Sequence, residues 1–186
     1  REPLYSLTLT NYEVKRMFDS MVRGWFQPAG ADYNDFVKAL LLGDLDAMNI
    51  YMNRVASQIF SYFDVGSREA GDAPERFYHG FVLGLLVDLQ NSYVITSNRE
   101  SGFGRYDVMI EPRDHGDDAM ILEFKVFNSR KEKTLEDTAR TALNQIEEKN
   151  YDAYLLGRGI PKKQIRKYGF AFQGKRVLIE DNMNAE

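Results

Sequence analysis

One segment of this chain, AMILEFKVF at residues 119–127, constrains the fold more strongly than any other. Side chains alternate between the two faces of a strand, so every second residue from Met120 to Val126 gives one wholly apolar face. The opposite face carries Glu123 and Lys125, two residue types that are rarely buried without a partner. The pattern predicts a strand that packs on a hydrophobic core and presents a charged pair on its other side.

The preceding segment, GRYDVMIE at residues 104–111, also has the pattern of a strand, with Arg105 and Asp107 on one face. The polar sequence PRDHGDD that separates the two segments suits a hairpin turn. In an antiparallel hairpin, Asp107 can lie beside Glu123 and Lys125. Two carboxylates and one ammonium group would then converge at one point of the sheet.

This convergence has two interpretations that the residues alone leave open. Two carboxylates, a backbone carbonyl and water molecules form a hard oxygen site suited to Mg²⁺ or Mn²⁺. A neighbouring lysine can orient a water molecule and neutralise charge in a phosphoryl transition state. The alternative is a structural Asp–Lys–Glu ion cluster, which contributes little stability because desolvation offsets the Coulomb attraction.

The rest of the chain predicts helices around these strands. Residues 1–65 are predicted to be helical, with the first helix ending before Pro28 and the second ending at Gly43. After Pro74 the predicted elements change to a mixture of helices and strands. They begin with an amphipathic helix (75–90), a strand (92–97) and the hairpin described above. A helix follows from Thr134 to Asn150, with a capping-box-like start at Thr134 and Asp137. The last elements are a buried strand AYLLG (153–157) and a closing hairpin of YGFAF (168–172) and RVLIE (176–180).

This order, α-β-β-β-α-β followed by a hairpin, predicts an α/β fold with a mixed central sheet flanked by helices. With 186 residues, of which 44% are hydrophobic, the chain is long enough for one well-buried domain with a smaller lobe. We therefore expect a helical N-terminal subdomain at 1–70, a core at 71–180 and a tail at 181–186.

Composition excludes several classes of protein. The chain has no cysteine, which excludes disulfides and thiolate metal sites and fits a reducing compartment such as the cytoplasm. The longest apolar run, FVLGLLV at 81–87, is far shorter than the ~20 residues that a membrane span needs. No signal peptide is visible. We therefore expect no membrane association.

Charge is distributed unevenly along the chain. The net charge of −4 argues against broad, sequence-independent binding of nucleic acid. From Ala153 to Ile179, however, there is no acidic residue. This stretch forms either a solvated basic face or a phosphate-contacting surface. Its basic residues are Arg158, Lys162, Lys163, Arg166, Lys167, Lys175 and Arg176.

The spacing of the charged residues resembles a known family. Asp107, fifteen intervening residues and then Glu123-Phe124-Lys125, set in an αβββαβ order, resemble the PD-(D/E)xK phosphodiesterase superfamily, which has the restriction-endonuclease-like fold. Four segments resemble more closely a branch found in bacterial proteins, C-terminal to an AAA-ATPase-like domain. They are ERFYHGFVLGLL, SNRESGFGRYDVMIEP, ILEFKV and ALNQIEEKNY, and the resemblance covers roughly residues 74–180.

The resemblance implies a role for each matching residue. Asp107 would be the central metal ligand, Glu123 the second ligand and the carbonyl of Phe124 a third, with Lys125 as the catalytic lysine. The first core helix would complete the metal site with Glu75, and the helix after the ExK strand would contribute Gln145. Where the superfamily name has Pro-Asp, this chain has Tyr106-Asp107, at a position that varies within the superfamily.

The resemblance also implies a cofactor, Mg²⁺ or Mn²⁺, and a substrate, nucleic acid, with DNA favoured over RNA. The implied activity is phosphodiester hydrolysis. The alternative is a non-catalytic nucleic-acid-binding or regulatory module attached to an ATPase domain. A weaker alternative is a toxin-like or defence effector that needs an N-terminal part. Because the chain begins with Arg1 rather than methionine, we expect a fragment or a processed form of a longer protein. The resemblance implies an AAA-ATPase-like domain N-terminal to it in the full-length chain.

Three further residues have two interpretations each. His79 lies one turn after Glu75 and is either a neighbour of the site or a hydrogen-bonded core histidine. Arg105 either contacts phosphate or pairs with an acid such as Glu100. Tyr151 is expected to pack rather than to take part in chemistry.

Two loop sequences are assigned to structure rather than function. The acidic surroundings of His115 indicate a solvated hairpin tip rather than a metal cluster. The segment RESGFGR lacks the Gly-Lys-Ser/Thr ending of a P-loop, so nucleotide binding is rejected there. Its glycines are expected to permit a tight loop or a close approach of the backbone near the site.

Overall fold

The computed structural model describes residues 34–59, 73–98, 100–102, 104–114 and 116–182. The helix predicted before Pro28 lies outside these residues, as does His115. The side chains of Glu75 and Glu100 also lie outside the description, although the backbone of each belongs to a described element. None of the described helices has the length and apolar character that crossing a bilayer requires.

The described elements follow the predicted order with two exceptions. The helices are α1 (Asn34–Leu42), α2 (Leu45–Ile59), α3 (Ala73–Leu85), α4 (Leu135–Glu148) and α5 (Ala153–Gly157), with 3-10 turns at Leu86–Asn91 and Lys162–Gln164. The strands are β1 (Tyr93–Ser97), β2 (Glu100–Ser101), β3 (Gly104–Arg105), β4 (Val108–Pro112), β5 (Ala119–Val126), β6 (Ile165–Gln173) and β7 (Arg176–Asp181).

Within the described residues, five strands form one mixed sheet in the order β1-β4-β5-β6-β7, and β2 and β3 form a separate small hairpin. Strands β5 and β6 are parallel, and each other neighbouring pair in the large sheet is antiparallel. Parallel strands need a long crossover connection, and the connection from β5 to β6 contains α4 and α5. The predicted α/β fold with a mixed central sheet flanked by helices is confirmed.

The predicted hairpin is present, in the register that the site requires. Strand β4 pairs with β5 so that Val108 lies opposite Leu122. Asp107 comes just before Val108 and Glu123 just after Leu122, so these two residues are neighbours across the strand pair. On the other side of β5, Glu123 lies beside Gly169 of β6. Side chains on this face of the sheet point towards α4, since a Cβ at Gly169 would meet the α4 residues Ala139 and Leu143.

Two of the predicted strands are wrong in detail. The segment AYLLG is the helix α5 and not a strand. The position that AYLLG was predicted to take, as the last strand of the αβββαβ core, is taken by β6. The alanine and leucines of AYLLG are good helix formers, and this segment lacks the β-branched residues that favour strands. The segment GRYDVMIE is not continuous either, because Tyr106 and Asp107 separate β3 from β4.

The basic run from 153 to 179 does not form one surface. Lys167 is buried, and its Nζ donates to Glu147 and Asp152, each at 2.8 Å. Arg158 donates to Glu111 at 2.9 Å. Arg166 pairs with Asp118 and donates to the carbonyl of Leu41 at 3.0 Å. Acidic partners from distant segments therefore hold three of the cations that the sequence grouped together.

Helix α2 closes one edge of the sheet with two asparagines. Asn49 donates to the carbonyl of Ile179 at 2.9 Å and accepts from its N–H at 2.8 Å. Asn53 makes the same pair of bonds with Val177. These amides satisfy backbone groups that an edge strand would otherwise leave open. Helices α1 and α2 belong to the same compact unit as the sheet, and the predicted boundary at residue 70 remains a prediction.

Gly169 allows α4 to pack closely on β6, and we expect Gly169→Ala to destabilise the protein. The added Cβ would lie 2.4 Å from the carbonyl oxygen of Ala139, a backbone atom that cannot rotate away. Displacing the helix should cost roughly 1–3 kcal/mol or more in the free energy of unfolding, measured by denaturant titration. Gly80→Ala is the matched control, because a Cβ there meets nothing within 4 Å. Equal stability of the two variants would contradict this packing argument.

Candidate active site

Asp107 lies at the break between β3 and β4, where its side chain continues the strand pairing. Pairing of β4 with β5 ends at Leu122. Just beyond it, Oδ2 of Asp107 accepts a hydrogen bond from the N–H of Phe124 at 2.8 Å. The N–H and C=O of one strand residue point to the same edge. The carbonyl of Phe124 therefore faces the same edge as the Asp107 carboxylate.

Glu123 is buried against α4, with 1% of its side chain exposed. Its Oε1 accepts from Nζ of Lys125 at 2.9 Å and also from Nε2 of Gln145 on α4. Its Oε2 is buried and has no hydrogen-bond partner among the described residues. Lys125 is partly exposed, so its ammonium group lies between the buried carboxylate and solvent.

The two carboxylates affect each other's ionisation. Burial and the nearby charge of Asp107 raise the pKa of Glu123 to about 7, against the attraction of Lys125. Burial also raises the pKa of Asp107, while the Phe124 N–H and the charges of Lys125 and His79 oppose the rise. Two charges held in such a place ionise together more readily when a cation binds between them.

Comparison with known proteins identifies the family. A family model described as PD-(D/E)XK nuclease superfamily matches residues 73–182, which is more than half of the chain. The chain belongs to the PD-(D/E)XK nuclease superfamily. No curated protein and no solved structure matches the chain. The match begins at the first residue of α3 and ends just after β7, so the superfamily region contains the whole cluster around Glu123.

PD-(D/E)XK nucleases use divalent metals, and the residues present here fit such an ion. The predicted donors are two carboxylates and the Phe124 carbonyl, the hard oxygen ligands that Mg²⁺ and Mn²⁺ prefer. The buried Oε2 of Glu123 lacks a partner in the part of the chain that the structure describes, which is unfavourable unless a ligand satisfies it. The described side chains include no group of three His, Asp or Glu residues that could hold a metal ion. Glu75, which the resemblance predicts as a further ligand, has its side chain outside the described residues.

His79 lies at the edge of the site on α3. Its ring centroid is 5.5 Å from that of Phe124, and its charge lowers the pKa of Asp107. Its Nε2 is buried without a hydrogen-bond partner among the described residues. The structure therefore places His79 close to Phe124, and its role as a neighbour of the site stays a prediction.

Arg105 lies on β3, two residues before Asp107, with its side chain exposed. Its backbone pairs with Glu100 across the small hairpin. The described contacts do not pair the Arg105 guanidinium with a carboxylate. Because the Glu100 side chain lies outside the described residues, contact with phosphate and pairing with Glu100 both stay predictions for Arg105.

Tyr151 does more than the packing that the sequence predicts. Its ring is buried in a cluster with Ile121 and Ile146. Its hydroxyl also donates to the carbonyl of Arg105 at 2.7 Å and accepts from Nε2 of Gln145 at 3.0 Å. The only sequence signal for this role is a glutamine near the end of a helix followed by a tyrosine after it, a pattern that has many structural explanations.

The predicted close approach at the glycine-rich segment is confirmed. Gly102 has a φ of +59°, and a Cβ there would lie 2.2 Å from the carbonyl oxygen of Lys149. At Gly104, a Cβ would lie 3.2 Å from the Tyr151 ring. The β2–β3 hairpin can therefore rest directly on the residues that follow α4.

Proposed function

We propose that this domain hydrolyses phosphodiester bonds of nucleic acid with Mg²⁺ or Mn²⁺ as cofactor. The ion would be held by Asp107, Glu123 and the carbonyl of Phe124, with Glu75 completing the site. One observation supports this more than any other. The buried Oε2 of Glu123, near Asp107, has no hydrogen-bond partner among the described side chains, and it lies within the region that matches a nuclease superfamily.

When bound, the metal would polarise a phosphate oxygen and lower the pKa of a water molecule. The protein's own residues position these reactants. Lys125 holds its ammonium group 2.9 Å from Glu123 and is partly open to solvent, so it can donate to a phosphate oxygen or to the attacking water. Gln145 donates to the same carboxylate and fixes its rotamer. Arg105, exposed beside the site, would contact the substrate backbone.

We favour DNA over RNA, and an ATPase-like domain preceding this one in the full-length chain, on the resemblance of the four sequence segments. The same resemblance supports action in the bacterial cytoplasm. The lack of cysteine and of a membrane-spanning helix in the described residues is compatible with that location.

A non-catalytic nucleic-acid-binding or regulatory module is the second candidate. It is favoured by the lack, among the described side chains, of a third carboxylate or histidine grouped with Asp107 and Glu123. Such a module would keep the fold and lose the ability to retain a metal tightly. Binding of duplex without metal and without hydrolysis would identify it.

The test compares wild type with Asp107→Asn on supercoiled plasmid, single-stranded DNA and RNA, with Mg²⁺, Mn²⁺ or EDTA. Asparagine can still accept from the Phe124 N–H, so the fold should persist while the charge that holds the metal is lost. We expect metal-dependent cleavage by wild type, strongest on DNA, and a loss of at least about 100-fold in Asp107→Asn. A wild type that cleaves no substrate with either metal would contradict the proposal.

A further inference from the structure

A chain of hydrogen bonds joins β3, which ends two residues before Asp107, to Glu123 on β5. The hydroxyl of Tyr151 donates to the backbone carbonyl of Arg105 at 2.7 Å. It accepts from Nε2 of Gln145 at 3.0 Å, and the same nitrogen donates to Oε1 of Glu123. Arg105 lies two residues before Asp107. These hydrogen bonds therefore link the backbone just before Asp107 to the carboxylate of Glu123.

Tyr151 and the Glu123 carboxylate together determine which way the Gln145 amide points. An amide side chain can present either its oxygen or its nitrogen to a neighbour. Because the Tyr151 proton is donated to Arg105, the hydroxyl offers a lone pair to Gln145 and selects the nitrogen. The second proton of Nε2 is then directed at Glu123. Burial raises the pKa of Tyr151, so the phenol keeps the proton that this arrangement needs.

The surroundings hold Tyr151 in this position. Its ring lies edge-to-face with that of Tyr106, with centroids 6.3 Å apart, inside a buried cluster. The close approach of Gly102 to the carbonyl of Lys149 brings the β2–β3 hairpin against the residues just before Tyr151. A change in the hydroxyl therefore cannot be offset simply by moving the ring.

We propose that Tyr151 is a positioning residue, which acts through Gln145 and the Arg105 carbonyl to set the separation of the Asp107 and Glu123 carboxylates. This inference rests on the proposed function, because it assumes that a metal binds between them. It predicts that Tyr151→Phe weakens divalent-metal binding about tenfold, the lower end of the range for residues that orient metal ligands.

The experiment compares Tyr151→Phe with Tyr106→Phe. Both remove a phenol hydroxyl from the same cluster, but the Tyr106 hydroxyl bonds to Thr96 at 2.6 Å and lies outside the chain of bonds to Glu123. We expect similar small losses of thermal stability in both variants. Mn²⁺ affinity, measured by calorimetric titration, should fall about tenfold only in Tyr151→Phe. Equal Mn²⁺ affinity in wild type and Tyr151→Phe would overturn the inference.

A double-mutant cycle tests whether Tyr151 acts through Gln145. In a Gln145→Ala background, Tyr151→Phe should weaken Mn²⁺ binding less than it does in wild type, because only the bond to the Arg105 carbonyl remains. Additive losses would overturn the proposed route.

The side-chain amide NMR signal of Gln145 in the metal-free protein gives a separate readout. It should shift in Tyr151→Phe and not in Tyr106→Phe, and an unchanged signal would sink the inference even if the site binds metal. Failure of wild type to bind Mn²⁺ would instead contradict the proposed function itself.

Discussion

Lys125→Met is expected to reduce metal-dependent cleavage at least about 100-fold without unfolding the protein. Methionine retains most of the apolar stem but removes the ammonium group that lies 2.9 Å from Glu123. A fixed positive charge next to the scissile phosphate is worth most in the transition state, where negative charge increases. The loss should therefore appear in kcat rather than in KM, measured on the substrate that wild type cleaves best.

Lys131→Met is the matched control for this variant. Lys131 is exposed in the loop that follows β5, so its loss changes the net charge equally without touching the carboxylates. Cleavage by this control should stay close to that of wild type. Comparable cleavage by Lys125→Met and wild type would remove Lys125 from the proposed chemistry.

The local parts of this fold could be predicted from the sequence. The alternation in residues 119–127 indicated a strand with one apolar face, and the hairpin register that places Asp107 beside Glu123 is present. The capping box of α4 was also predictable, since Thr134 and Asp137 satisfy each other's backbone N–H groups three residues apart. Each of these features depends on interactions over a short stretch of chain.

Interactions across long sequence separations could not be predicted in this way. The basic run after residue 153 looked like one surface because its acidic partners lie elsewhere, such as Glu111 for Arg158 and Asp118 for Arg166. The link from Tyr151 to Arg105 spans 46 residues. The short apolar segment AYLLG lacks a length or period that separates strand from helix, and its position in the fold decided the outcome.

Glu123→Gln is expected to stabilise the metal-free protein at pH 8 relative to wild type. In the folded state the pKa of Glu123 is raised from 4.5 to about 7 by burial and by Asp107. Below pH 4.5 the carboxyl is protonated in both folded and unfolded chains, so no stability is lost. As the pH rises towards 7 only the unfolded chain ionises freely, and wild type loses stability on the order of 3 kcal/mol. Glutamine carries no such penalty and can still accept from Lys125 and Gln145.

The advantage of Glu123→Gln should reverse when metal is added, and this reversal separates a metal site from a structural ion cluster. Denaturant unfolding in EDTA should show a larger difference in the free energy of unfolding between Glu123→Gln and wild type at pH 8 than at pH 5. Glu148→Gln, at the exposed end of α4, should have the same pH dependence of stability as wild type. At 1,000 times its Kd, Mn²⁺ should stabilise wild type by about 4.1 kcal/mol, and the variant much less. A structural cluster would show no response to Mn²⁺ in either protein. Parallel stability curves for wild type and Glu123→Gln between pH 5 and pH 8 would contradict the raised pKa itself.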